Sequence, residues 1–122
     1  MHSVLVVDDA QFMRTTTSNM FLEWGFNVVG NASNGEEAVK LYREYEPDIV
    51  TMDVTMPVKS GIEASKEILS EYPDANIIMI TALGQQRLIM EALEIGVKDF
   101  IAKPVNASQL KIIVNKVLNT YD

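Results

Sequence analysis

The sequence predicts an α/β fold: five parallel strands in a single sheet, with helices covering both faces. Two observations predict it. Short apolar runs without strict polar alternation recur from end to end, which is how strands buried on both faces read. Between them lie longer segments whose apolar residues repeat at helical spacing. Strands alternating with helices imply right-handed crossovers and hence a parallel sheet. The 122 residues suit one domain, spanning 1–122, and 48% of them are hydrophobic, enough for a real core.

The first run, SVLVVD, is followed by a helix that puts Met13, Thr17, Met20, Phe21 and Trp24 on one face and stops at Gly25. NVVGNA is the second strand. Ser33-Asn34-Gly35-Glu36 then reads as a capping box, opening a helix that buries Ala38, Leu41, Tyr42 and Tyr45. PDIVTMD is the third strand, and a second capping box, Ser60-Gly61-Ile62-Glu63, opens a helix with Ile68, Leu69 and Tyr72 inward. The turn Tyr72-Pro73-Asp74 ends it. NIIMIT is the fourth strand. The segment LIMEALEIG after it carries more apolar residues than one helical face needs, so Met90, Ile95 or both are expected at the surface; Gly96 marks its end. DFIAK is the fifth strand. Asn106 with Gln109 opens the last helix, whose inner stripe is Leu110, Ile113, Val114 and Val117, leaving Ile112 off the stripe.

The formal charge of −7 argues against nucleic acid, because phosphate binding needs clustered Lys and Arg. It suits a chain that meets basic or amphipathic partners. There is no cysteine, which excludes disulfides, thiolate metal sites and Cys nucleophiles and fits a reducing cytoplasm. The start, MHSVLVVDD, has no basic region and only a short apolar run, so it is no signal peptide. No apolar stretch approaches the roughly 20 residues that span a bilayer. A cytoplasmic location away from membranes is expected.

In an open parallel sheet, ligands bind beyond the carboxyl ends of the strands. Here those ends read Asp8-Asp9 for the first strand, Asp53 for the third, Thr81-Ala82 for the fourth and Lys103-Pro104 for the fifth. Singly, these read as turn, cap, strand and surface residues. If the first and third strands are neighbours, about 4.8 Å apart, three carboxylates converge. Two like charges at ~4 Å repel by about 4 kcal/mol at an effective dielectric near 20. Such a group must be partly protonated or hold a cation, and hard oxygen donors in a compact site favour Mg²⁺. Lys103 can lean across the fourth strand to the same place, and Thr81 adds a hydroxyl. That is equipment for accepting a phosphoryl group on Asp53.

The segments LVVDDAQFMR, ASNGEEAV, PDIVTMDVTMPVKSGIEA, IIMITALGQQ and GVKDFIAKP make the chain resemble, over nearly its whole length, the receiver domains of two-component response regulators. The stand-alone chemotaxis regulators of the CheY type are the nearest resemblance. The resemblance implies a flavodoxin-like (βα)5 fold with strand order 2-1-3-4-5. It implies Asp53 as the phosphoacceptor, and Asp8, Asp9, Asp53 and the backbone carbonyl of Thr55 as ligands of Mg²⁺. It further implies Thr81 as the hydroxyl that follows the phosphoryl group, and Lys103 as its lysine contact, joined to Pro104 by a cis bond. Phe100 holds the place of the aromatic switch; lacking a hydroxyl, it can switch only by packing. Thr55 and Leu83 lie where the family tunes phosphoryl lifetime.

The same resemblance implies an output face on the fourth helix, fifth strand and last helix, including Met90, Ile95, Phe100 and Ile112. The expected partners are a chemotaxis histidine kinase upstream and, downstream, a flagellar or archaellar motor switch component or an adaptor to it. With the sequence ending at Asp122, no output domain is expected, and the chain is expected to be a monomer. It is not expected to be an enzyme beyond its own phosphorylation and dephosphorylation. The alternative within the family is a phosphorelay intermediate or phosphate sink without a motor. Outside it, a flavodoxin-like flavin binder needs a Ser/Thr/Gly loop where Asp8 and Asp9 stand. An aspartate-nucleophile phosphatase carries its nucleophile on the first strand, whereas Asp53 lies on the third.

Overall fold

A computed structural model describes residues 2–120. Five strands, β1 (Ser3–Val7), β2 (Asn27–Ala32), β3 (Ile49–Asp53), β4 (Ile77–Thr81) and β5 (Asp99–Ala102), alternate with five helices. These are α1 (Gln11–Glu23), α2 (Gly35–Tyr45), α3 (Gly61–Glu71), α4 (Gln86–Ile95) and α5 (Ala107–Leu118). All strand pairs are parallel and the order is β2-β1-β3-β4-β5.

Because side chains alternate across a strand, the unbroken apolar runs feed two cores at once. Leu5, Val7, Val50, Met52, Ile77 and Met79 meet α2, α3 and α4 on one side of the sheet. Val4, Val6, Ile49, Ile78, Ile80 and Ile101 meet Phe21 of α1 and Leu110 and Val114 of α5 on the other. Each fully buried Ile or Leu contributes about 1.5–3 kcal/mol. The central strands β3 and β4 are buried along their whole length, and this places their carboxyl ends rigidly.

Three local readings shift. The second helix is capped one residue later than the motif suggested: the Asn34 side chain accepts from the Glu37 amide, and the Glu37 carboxylate accepts from the Ser33 amide. Tyr45 is exposed rather than buried, and Val39 takes its place in the core. Tyr45 is the final residue of α2, just before Glu46 turns left-handed, so its ring runs out beyond the packed stripe. Ile95 packs against the core instead of facing out. Helical spacing explains it: residues 88, 92 and 95 share one stripe, and Leu88 and Ala92 lie on that inner face. The capping box of Ser60 and Glu63 and the Asn106 cap form as read.

Candidate functional site

Register fixes which strand ends meet. Val7 lies opposite Met52, so one step further Asp8 of the β1–α1 loop stands beside Asp53 at the end of β3. Oxygens of Asp8, Asp9 and Asp53 all lie within 4.8 Å of one another. Asp8 and Asp53 are buried and Asp9 is exposed at the rim. From the far side of β4, Lys103 reaches in with Nζ 3.4 Å from Asp8 Oδ2 and 3.4 Å from Asp53 Oδ1. The Lys103–Pro104 bond is cis. Thr81, opposite Ala102, is buried at the end of β4, one residue past Ile80, which pairs with Asp53.

The loops that carry these groups are pinned by main-chain contacts. The amide of Ala10 donates to Asp8 Oδ1 at 2.9 Å, and Arg14 donates to the Asp8 carbonyl at 2.7 Å. Gly61 donates to the Val54 carbonyl at 2.9 Å, and a Cβ at Gly61 would lie 2.0 Å from the Asp53 carbonyl oxygen. Only glycine lets α3 start this close to the end of β3. Val58, between Pro57 and Lys59, holds φ +69°, a left-handed conformation costly for a β-branched residue.

Burial raises the Asp53 carboxyl to about 6, the Asp8 charge adds to the rise, Lys103 opposes it, and Asp9 adds slightly. At neutral pH Asp53 is therefore mainly ionised and poorly solvated. Burial pulls the Lys103 ammonium down, but Asp53 and Asp8 outweigh it and the net displacement is upward. The residues fit a divalent cation. They offer three hard oxygen donors on one spot, and Asp8 Oδ2 is buried with no hydrogen-bond partner among the described residues. Its 3.4 Å contact with Lys103 offsets charge without supplying a good hydrogen bond.

One group here escaped the sequence reading. Gln85, just before α4, accepts from the Ala82 amide at 2.8 Å and from the Thr81 hydroxyl at 3.0 Å, and donates to Thr55 Oγ1 at 2.8 Å. Its only sequence signal is a position four residues past Thr81, which says nothing until the β4–α4 turn is seen. Of the face residues, Met90 is 61% exposed, Phe100 41% and Ile112 68%; Leu93, not singled out from sequence, is also exposed. Thr81, Gln85, Ile89, Met90, Leu93 and Phe100 line an apolar groove of about 290 Å³ that runs from the site onto α4 and β5.

Residues 4–115 match the response regulator receiver domain, and the chain belongs to that family. It is 50% identical to the chemotaxis protein CheY of Thermotoga maritima over 114 residues, which is 93% of this chain and 95% of that protein. It is 48% identical to the chemotaxis protein CheY of Bacillus subtilis over 118 residues, 97% of this chain and 98% of that one. The fold is similar to that in a crystal structure of the CheX–CheY–beryllofluoride–Mg²⁺ complex from Borrelia burgdorferi. The TM-score is 0.91 and the identity 38%, covering 95% of this chain and 88% of that chain.

Proposed function

We propose that this receiver accepts a phosphoryl group on Asp53 from a chemotaxis histidine kinase and then offers its α4–β5–α5 face to a motor switch component or an adaptor. The observation that carries the reading is the meeting of Asp8, Asp9 and Asp53 within 4.8 Å, with Lys103 Nζ 3.4 Å from two of them. An Asp53 oxygen attacks phosphorus as the donor's bond to phosphorus breaks, and the donor leaves with the electron pair. Asp8, Asp9, Asp53 and the Thr55 carbonyl would hold Mg²⁺, which when bound neutralises charge on the phosphoryl oxygens. Lys103 adds a second positive charge, fixed in place before the reaction. Asp53 is ready as the nucleophile because it is ionised but incompletely solvated.

The new group adds about −1.5 to −2 charges. Thr81 gains an acceptor, and its motion is passed along the groove to Phe100, Met90 and Leu93. Couplings of this kind amount to about 1–3 kcal/mol, or about 5–150-fold in partner affinity. The motor-side output draws support from the likeness to chemotaxis relatives and from the exposed Met90, Phe100 and Ile112. The receiver acts in the cytoplasm as a monomer and turns over no substrate besides its own phosphoryl group; among the described residues no helix is long and apolar enough to cross a membrane. Incubation with acetyl phosphate and Mg²⁺ tests the reading. Asp53→Asn abolishes labelling and Asp9→Ala weakens Mg²⁺ binding. Undiminished labelling of Asp53→Asn sinks the assignment.

A further inference from the structure

Thr81 has one hydroxyl proton, and two acceptors compete for it, the Ala82 carbonyl and Gln85 Oε1, each at 3.0 Å. The amide of Gln85 can face only one way. The Ala82 amide is purely a donor and lies 2.8 Å from Oε1, so Nε2 must point to the other side, where Thr55 Oγ1 accepts at 2.8 Å. Three segments thus converge on one side chain: the end of β4, the β3–α3 loop and the first turn of α4. The link to α4 is direct, because the Gln85 carbonyl accepts from the Ile89 amide at 3.1 Å. Gly84, at φ +91°, makes the sharp turn that brings Gln85 back over Thr81.

From this geometry we propose that Gln85 is a positioning residue that holds the resting conformation: its amide draws the Thr81 proton away from Asp53 and ties the start of α4 to the β3–α3 loop. The inference rests on the phosphoacceptor reading of Asp53. Phosphoryl oxygens on Asp53 compete with Gln85 for the same proton. When Thr81 turns to them, Gln85 loses one of its three bonds, and the first turn of α4, which walls the apolar groove, is released. Gln85 therefore acts through Thr81 and Thr55 and does not touch the reacting atoms.

The test uses beryllofluoride with Mg²⁺ as the probe, titrated calorimetrically. Gln85→Met keeps the length and removes every hydrogen bond of the side chain. It is expected to raise beryllofluoride affinity by roughly 3- to 10-fold, the scale of one net hydrogen bond. Mg²⁺ affinity without beryllofluoride is expected to stay unaltered, which general loosening of the site would not allow. Gln85→Ala is expected to give the same rise, so a folding defect in one variant does not decide the matter. Thr55→Val is expected to raise affinity less, and to add nothing in the double variant with Gln85→Met. Unchanged or lower affinity in both Gln85 variants, or full additivity with Thr55→Val, overturns the proposal. If wild type binds no beryllofluoride, the phosphoacceptor reading falls, and the role of Gln85 falls with it.

Discussion

Replacing Asp53 by Asn should make the folded chain more stable, and the structure sets the size of the gain. The folded carboxyl titrates at about 6 against an ordinary 3.8. Between these values the native state keeps a proton that the unfolded chain has released. Stability therefore falls as pH rises through that window, and the full cost is present above about pH 6. Two units at ~1.4 kcal/mol each give about 3 kcal/mol. Asn is nearly isosteric and carries no charge to desolvate, so it escapes this cost. Urea denaturation in the absence of divalent ions should show Asp53→Asn ahead by about 1–3 kcal/mol at pH 8 and by about half as much at pH 5. Added Mg²⁺ should narrow the gap at pH 8 by stabilising wild type through binding. A variant no more stable than wild type at pH 8, or a gain that ignores pH, would refute the reasoning.

Three further outcomes follow from the same geometry. Lys103→Ala should still be labelled by acetyl phosphate, but its affinity for a partner should no longer rise on phosphorylation; a normal rise measured by fluorescence anisotropy counts against the coupling role. Gly61→Ala forces a Cβ into the Asp53 carbonyl, so it should cost about 2 kcal/mol or more in urea denaturation and slow labelling. An unperturbed variant would mean that α3 can back away freely. Val58→Asn should stabilise by roughly 0.5–1 kcal/mol, because Asn tolerates the left-handed region far better than a β-branched residue. Equal stability of the two in a thermal scan contradicts that.

The fold and most of the candidate site were legible because both are written in strand ends. A doubly buried strand must be an apolar run, so the point at which Asp8, Asp53, Thr81 or Lys103 interrupts it is visible in one dimension. What stayed hidden depends on register and on turns. The capping box of α2 slipped by one residue because Ser33 and Asn34 are both good caps, and only the chain's approach from β2 decides between them. Tyr45 was misplaced, and the choice between Met90 and Ile95 as the outward residue stayed open, because periodicity gives a face but not where the neighbouring layer ends. Gln85 lies within one of the family-like segments, yet nothing in one dimension marks its side chain. Its importance arises from Gly84 folding it back toward two threonines that are 26 residues apart in sequence.

The sole indole of the chain belongs to Trp24, at the foot of α1, where it stacks edge-on against Phe21 at 5.1 Å. Thirteen helical residues at 1.5 Å each put it about 20 Å from the start of that helix, which follows closely on Asp8 and Asp9. Intrinsic emission will consequently track melting of the layer formed by the first and last helices, and will stay nearly blind to chemistry at the opposite pole. Optical studies of signalling in this molecule need a reporter introduced on the fourth helix.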